Sequence, residues 1–269
     1  MSALKKRLIF LELPVLLVLI LGLIYTFHPF GPINSFGAEF FKNASTSSAS
    51  SKQNEGLVAS PLTGEPVDQA TANLRPLAVM IENLGNSRNP MNAQARPQAG
   101  LDKADIVYEA LVEGGITRFM AVYQSKRAER VLPVRSARPY YVSWAGDYKA
   151  AFFHIGGSPE AASLLASLRA GGAIFDGGAS GGWFGRFAPW RAEGRSLEHT
   201  AVSDTESMRN VMRSRGGEGN RGFTSFLFKG DLAAEKRPES REVLIINFSS
   251  LSQSLYSVRW VYDKENNRY

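Results

Sequence analysis

The sequence RPLAVMIE, from Arg75 to Glu82, is a short apolar run with a charged residue at each end. It follows PLTGEPV, which begins at Pro61 and has the residues of a turn. An apolar run of this length between turn signals predicts a strand buried in the interior of a sheet. Similar runs occur at residues 104–110, 119–123, 130–134, 150–154 and 242–248. We therefore expect a domain with several buried strands.

Helix signals lie between these runs. Ser158 can cap a helix that continues to Arg169, because Pro159 suits the first turn and Gly171 follows the end. Residues 204–213 form a second helix candidate of the same kind. Strands interleaved with helices predict an α/β domain in which helices cover a mixed sheet.

The composition excludes several classes of protein. The chain has 269 residues, of which 31 are basic and 25 acidic, and three of the cations are Lys5, Lys6 and Arg7. Without these three residues the excess of basic over acidic residues is about half as large, which is too small to predict nucleic-acid binding. Because the chain has no cysteine, disulfides, cysteine-ligated zinc, thiol catalysis and a lipidated cysteine are all excluded.

The first 28 residues predict a membrane anchor. Residues 8–27 are about 20 mostly apolar residues, enough for a helix to span the roughly 30 Å core of a bilayer. A cleavable signal peptide is the alternative, but a small-x-small cleavage site is hard to find after it. Basic residues precede the span, so the positive-inside rule sends everything after Phe27 out of the cytoplasm. We expect a single-pass protein of the bacterial cytoplasmic membrane with an extracytoplasmic C-terminal region.

The rest of the chain divides by composition. Residues 29–60 include NASTSSASSKQ, which is typical of a flexible linker. Residues 61–232 are predicted to form the main α/β domain. The charged break AAEKRPESR begins at residue 233, and residues 233–269 are predicted to start a smaller β-rich C-terminal domain that is truncated here, because about 30 residues are too few to close a core.

Charged residues cluster in EALVEGGITRFMAVY and PVRSARPYY. The structural interpretation is that Glu113 forms an ion pair with Arg118 or Arg135 and so joins strand ends. The functional interpretation is an anion site, in which Arg135 and Arg138 present a fork of donors with Ser136 between them. Glu109 and Arg118 belong to the same group of ligand-binding candidates.

Glycine-rich segments supply the other candidates. His154 ends a strand and leads into GGSPEA, where its ring is either a structural hydrogen-bonding group or part of an anion site with Ser158, which also suits a helix cap. Residues 171–186 hold Asp176 and Trp183 among seven glycines, as a binding loop or as a hairpin that packs back on the domain. No spacing in the chain is typical of a nucleotide or zinc site, so we expect no cofactor and no metal.

The blocks RPLAVMIEN, ARPQAGLDKADIVYEALVEGGITRFMAVY, PVRSARPYY and FHIGGSPEA, in this order, resemble the YerB-like family of bacterial lipoproteins. The resemblance extends from about Pro61 to Asp263. It implies an N-terminal domain followed by a smaller C-terminal domain, a place in the cell envelope, and no particular reaction. Members of the family typically carry a lipidated cysteine, for which this chain has an apolar N-terminal span instead.

Two functions fit these observations. The first is a non-catalytic envelope protein that binds an envelope polymer, peptide or partner protein through the arginines and the glycine-rich loop. The alternative is an enzyme acting on a phosphorylated or pyrophosphate-linked envelope substrate, which resembles the LytR-type transferases in layout only. There, Glu113 or Asp147 would bind a divalent metal or act as a base. In either case we expect Glu113, Arg135, Arg138 and His154 to converge on one pocket, because strand ends of α/β sheets gather ligand groups.

Overall fold

The structure is a computed structural model that describes residues 56–85, 95–168, 174–177, 182–219, 222–238, 243–248 and 253–269. Within these residues no helix has the length and apolar character needed to cross a bilayer. The predicted membrane span at residues 8–27 and the linker sequence at residues 43–53 lie outside the described residues. Both therefore stay predictions, but Leu57–Ala59, inside the predicted linker of residues 29–60, form a strand that pairs with Pro66–Asp68.

The described residues form short strands and helices that alternate along the chain. The strands are β1 (Leu57–Ala59), β2 (Pro66–Asp68), β3 (Leu77–Glu82), β4 (Ile106–Leu111), β5 (Thr117–Tyr123), β6 (Ala151–His154), β7 (Ile174–Asp176), β8 (Gly185–Arg186), β9 (Ala201–Val202), β10 (Val243–Asn247) and β11 (Ser257–Val261). The helices are α1 (Gln69–Ala72), α2 (Pro139–Asp147), α3 (Pro159–Leu168), α4 (Ala188–Ala192), α5 (Thr205–Ser214) and α6 (Gln253–Tyr256).

A mixed sheet of five strands, in the order β4-β5-β3-β6-β7, is the centre of the fold. β3 pairs antiparallel with β5 and parallel with β6, and β6 pairs parallel with β7. Every residue of β3 is buried. This agrees with the uninterrupted apolar run from Leu77 to Ile81, because a central strand covered on both faces needs apolar side chains in both directions.

Each face of the sheet has its own hydrophobic core. Successive side chains of a strand point to opposite faces, so Met80 packs with Tyr141 of α2 and Leu165 of α3 on one face. Ile81 and Val79 lie on the other face, with a second set of buried side chains that includes Phe153, Phe175, Trp183, Met208 and Met212. The predicted α/β class is therefore observed.

Most of the predicted elements are present, with ends that differ by a few residues. β3, β4, β5, β6 and β10 lie within or beside the predicted runs, and α3 and α5 occupy the two predicted helices. The strand predicted at residues 130–134 is wrong, because Val131 and Val134 make only isolated bridges, to Ser203 and Ile81. Pro133 has no N–H to donate to a ladder, which explains why pairing does not continue.

The C-terminal segment forms a two-stranded ribbon rather than part of the central sheet. β10 and β11 pair antiparallel from Val243 opposite Val261 to Asn247 opposite Ser257. The large apolar side chains of this ribbon are exposed, including Ile245 at 61%. Beside it Tyr256 is buried, and its hydroxyl accepts a hydrogen bond of 3.0 Å from the amide of Gly85. The proposed domain boundary near residue 233 stays a prediction.

Candidate functional site

The ends of several strands meet at one edge of the sheet, which we call the carboxyl edge. β3, β6 and β7 run in parallel, and β4 has the direction of β3 because both are antiparallel to β5. Glu82, His154 and Asp176 are the last residues of β3, β6 and β7. Arg118, near the start of β5, is paired in register with Glu82. Most of the candidate residues are therefore brought to one edge by topology alone, as in other open α/β sheets.

Arg118, Ser136 and Arg138 form a hydrogen-bonded group that we call the arginine cluster. Nη1 of Arg118 donates to the carbonyl oxygen of Ser136 at 2.9 Å and to its hydroxyl at 3.0 Å. Nη1 of Arg138 donates to the same hydroxyl at 3.1 Å and to the carbonyl oxygen of Ala137 at 2.7 Å. One serine oxygen thus accepts from two guanidinium groups and holds them side by side.

Backbone pairing places the segment that carries Ser136 and Arg138. The amide of Arg135 donates to Met80 of β3 at 2.9 Å, and the amide of Ala137 donates to Gly156, beyond β6, also at 2.9 Å. The segment therefore lies across the ends of two parallel strands. Arg138 is the N-cap residue of α2 but makes no side-chain capping hydrogen bond. The first residue of the helix is Pro139, which suits that position because it needs no N–H partner.

Glu113 is the carboxylate partner of the arginine cluster. Its Oε1 accepts from Nε of Arg138 at 2.7 Å, and its Oε2 accepts from Nη2 at 2.5 Å. This bidentate pairing lowers the pKa of Glu113 to about 2. We expected Glu113 to pair with Arg118 or Arg135, and the structure pairs it with Arg138 instead. Arg118 is held by Ser136 instead, and Arg135 by Glu82.

Arg118 is the most enclosed of these arginines. Only 6% of its surface is exposed, and its Nε atom has no hydrogen-bond partner among the described residues. Burial is the main reason that its pKa falls to about 10, and the neighbouring charge of Arg138 lowers it further. A buried guanidinium with an unused donor is costly, because the donor has lost its water without gaining a partner.

Glu82 forms a second ionic group at the same edge, with Arg135 and His199. Its Oε1 accepts from Nε of Arg135 at 3.0 Å, and its Oε2 lies 2.7 Å from Nδ1 of His199. Glu82 and His199 are both buried. Because an ionised carboxylate only accepts hydrogen bonds, Nδ1 of His199 carries the proton. This pair stabilises the turn before β9 against the end of β3.

Comparison with known proteins assigns the chain to a family. A family model described as "Protein of unknown function (DUF3048) N-terminal domain" matches residues 62–218, which is more than half of the chain. The chain belongs to this family. All the candidate residues, together with Glu82 and His199, lie inside the matched range, whereas the ribbon of β10 and β11 lies outside it.

Two related proteins support the assignment to the DUF3048 family. The chain is 38% identical over 159 residues to "Putative lipoprotein YerB" of Bacillus subtilis, and the match covers 58% of this chain and 43% of that protein. The crystal structure of YerB from Bacillus subtilis matches with a TM-score of 0.61 at 30% identity, covering 78% of this chain and 64% of that one. The match to the curated relative therefore spans less than half its length. The resemblance to the YerB-like family is confirmed.

Several candidates within the family's matched range have local structural partners. Glu109 accepts hydrogen bonds from Thr117 at 2.6 Å and Asn83 at 3.2 Å, and burial raises its pKa. Ser158 caps α3 by accepting from the amide of Ala161 at 3.2 Å. Their described contacts lie with these neighbours rather than with the arginine cluster.

His154 and Asp176 reach the carboxyl edge but contact it through backbone groups. Nδ1 of His154 lies 2.8 Å from the carbonyl oxygen of Gly156, and the ring is buried against Phe152. Asp176 accepts from the amide of Gly156 at 3.2 Å. Four residues were predicted to converge on one pocket, and the structure brings two of them together, since Glu113 pairs with Arg138. Arg135 pairs with Glu82 instead, and the ring of His154 contacts the carbonyl oxygen of Gly156.

Trp183 is a core residue in this structure, not an exposed stacking surface. It is 1% exposed and packs edge-on against Phe153 with 5.0 Å between ring centres. This is the arrangement of the second interpretation of the glycine-rich loop, in which its aromatic side chains pack back on the domain. Residues 178–181 of that loop lie outside the described residues.

Of the two acidic residues suggested for an enzyme, Glu113 contacts Arg138, whereas Asp147 lies apart from it. Asp147 ends α2, whereas Arg138 precedes its first residue, so about 13 Å of helix separates them. Among the described residues there is no group of three or more His, Asp or Glu side chains that could hold a metal ion.

Sequence reasoning missed Glu82 and His199 as partners at this edge. The available signal was a carboxylate ending a buried apolar run, because such a charge needs a partner. Nothing in the sequence indicated His199 as that partner, since the two residues are 117 positions apart.

Proposed function

We propose that this protein is an extracytoplasmic, membrane-associated protein of the bacterial cell envelope that binds an anionic group of an envelope polymer, peptide or partner protein. The location is supported by the Bacillus subtilis relative, "Putative lipoprotein YerB", and by the apolar N-terminal sequence. In this proposal residues 8–27 form a single-pass anchor, and the domain after residue 60 lies outside the cytoplasm.

The observation that carries the binding proposal is the arginine cluster. Two guanidinium groups are held side by side on Ser136 at the carboxyl edge, where α/β sheets bind ligands. One of them, Arg118, is buried with an unused donor. Arg135 lies near them, since its charge also lowers the pKa of Arg118. These three cations face two carboxylates, Glu82 and Glu113, so one positive charge is left over and favours an anion. Arginine is the side chain best suited to binding carboxylate or phosphate.

A binding experiment tests this proposal. Inorganic phosphate and acetate would each be titrated calorimetrically into the purified full chain and into Arg138→Ala. A lost charge-assisted contact is worth about 1.5–3 kcal/mol, so we expect affinity to fall by about 10- to 100-fold. Arg127→Ala is the matched control, because Arg127 is 77% exposed and pairs with Glu206. Unchanged affinity in Arg138→Ala would exclude the arginine cluster as the site.

The proposed location has a separate test. Protease added outside intact bacterial cells should degrade the domain of the full-length chain while a cytoplasmic control protein stays intact. Protection of the domain would reverse the proposed topology.

The alternative function, an enzyme acting on a phosphorylated or pyrophosphate-linked substrate, has less support. Glu113 is paired with Arg138, and Asp147 lies at the opposite end of α2. A protein that only binds its ligand needs neither Glu113 nor Asp147 as a metal ligand or a base.

A further inference from the structure

The fork of Arg138 is already occupied by a carboxylate of the chain itself. Nε and Nη2 of Arg138 each donate to one oxygen of Glu113, at 2.7 and 2.5 Å. Two parallel hydrogen bonds between a guanidinium and a carboxylate are the geometry by which arginine binds carboxylate ligands. A glutamate side chain of the same chain is therefore bound at the proposed site.

Arg138 is more buried and has more hydrogen-bond partners than Glu113. The guanidinium of Arg138 is 13% exposed and is fixed from behind, because its Nη1 donates to Ser136 and Ala137. Glu113 is 67% exposed. Its carboxylate has Arg138 as its side-chain partner, so removing it would leave the arginine in place with two donors pointing to solvent.

Glu113 also lies on a short surface turn, in which the amide of Ile116 donates to the carbonyl oxygen of Glu113 at 3.4 Å. Residues 113–115 form a single turn in which Gly114 and Gly115 have φ of 69° and 70°, a conformation that glycine adopts without strain. The amide of Val112 donates to Ile116 at 2.7 Å and closes the loop below the turn. A short glycine turn on the surface is a segment that can move without disturbing the sheet.

We propose that Glu113 is an internal stand-in for the ligand, and that the site takes a glutamate or aspartate side chain of an acidic peptide segment. This inference rests on the proposed anion-binding function and names its ligand class. Arg138 offers two coplanar donors, since Nη1 is committed to Ser136 and Ala137, and two coplanar donors match a carboxylate. A peptide side chain is favoured because the carboxylate held in the fork is that of a glutamate side chain.

An external carboxylate must displace Glu113 from Arg138, so Glu113 lowers the affinity of the site for such a ligand. A tethered group competes at an effective concentration in the millimolar range or above. The pair with Arg138 is worth at most about 1 kcal/mol, so removing the competing charge should increase the affinity for an external carboxylate by about fivefold. Glu160 offers a matched control, because it lies near Arg138 and Glu113 on α3, is exposed, and has no described ion pair with Arg138.

The test compares three forms of the full chain, namely wild type, Glu113→Gln and Glu160→Gln. The peptide probe is acetyl-Gly-Glu-Gly-Gly-amide, with the Gln version of the peptide, glucuronate and inorganic phosphate as comparison ligands. We expect Glu113→Gln to bind the Glu peptide about fivefold more tightly than wild type, with less than a twofold change in Glu160→Gln. Thermal melts would establish that all three forms are folded.

The other outcomes are informative in different ways. Equal tightening in both variants would overturn the stand-in role and indicate general charge repulsion. Peptide binding that is the same in wild type and Glu113→Gln would also overturn it, while leaving the anion-binding function in place. Tighter binding of glucuronate or phosphate than of the peptide by Glu113→Gln would overturn the peptide assignment. If none of the ligands binds any folded form, both the inference and the proposed function fail.

Discussion

Replacement of Trp183 by alanine should destabilise the domain strongly. An aromatic side chain of this kind removes about 150–250 Å² from water, which at about 25 cal/mol per Å² corresponds to about 4–6 kcal/mol. Large-to-small changes of Trp or Phe in cores cost about 3–5 kcal/mol. Nε1 of Trp183 has no hydrogen-bond partner among the described residues, so truncation also removes a desolvated donor. We therefore expect a loss near the lower end, about 3–4 kcal/mol.

This loss is measurable by urea denaturation followed by circular dichroism, and as a fall in melting temperature of about 6–16 °C for a domain of this size. Phe184→Ala is the neighbouring control, because Phe184 is only half-buried, and Trp183→Phe should recover most of the lost stability. A loss below about 1 kcal/mol for Trp183→Ala, combined with lost ligand binding, would refute the core assignment and restore the interpretation of Trp183 as a stacking surface.

Three further predictions follow from the ionic groups and the ribbon. Glu82→Ala should lower the free energy of unfolding, measured in urea, by about 2–4 kcal/mol, because it leaves Arg135 and the buried His199 without their carboxylate. A loss below about 1 kcal/mol would argue against a structural role for these ion pairs. Glu113→Gln should be less stable than wild type by at most about 1 kcal/mol above pH 5, since the pair with Arg138 is largely exposed on the Glu113 side. The folded-state pKa of Glu113 is depressed to about 2, so this difference should disappear as the pH falls from about 5 to 2, and a difference that grows on acidification in pH-dependent melts would contradict the assigned sign. Ile245→Lys should change the melting temperature very little, because its side chain is 61% exposed, and a large drop would show that the ribbon packs on the domain.

The sequence predicts four of the five strands of the central sheet because their patterns are local, whereas β7 lies in the glycine-rich segment and was not predicted. The run from Leu77 to Ile81 is apolar at every position, as a strand covered on both faces requires. Ser158 and Pro159 likewise predict the start of α3 through capping chemistry. The sequence did not predict α2. Its buried residues Tyr141, Val142 and Ala145 are spaced as on one face of a helix, but the adjoining aromatic residues Tyr140 and Trp144 obscure that pattern.

The partners at the carboxyl edge could be predicted only in part. Charges beside buried strands indicated that ion pairs would form, and Glu113 does form one. The arginine that pairs with Glu113 is determined by the strand order and by the path of residues 134–138 across β3 and β6. Local sequence patterns predict neither of these. The pairing of Glu82 with His199 is beyond sequence reasoning for the same reason, because it joins distant parts of the chain.

The strand order also sets the sequence of events in folding. β4 and β5 are joined by residues 112–116, so their hairpin closes a short loop, whereas β3 and β6 are separated by residues 83–150. Loop-closure entropy grows with the logarithm of length, and the longer closure is less favourable by roughly 2 kcal/mol. The hairpin of β4 and β5 can therefore form early, and the parallel pairing of β3 with β6 must wait until most of the domain is available. Until then β3, the most apolar strand of the sheet, has one unpaired edge, and in this interval the chain is most exposed to aggregation.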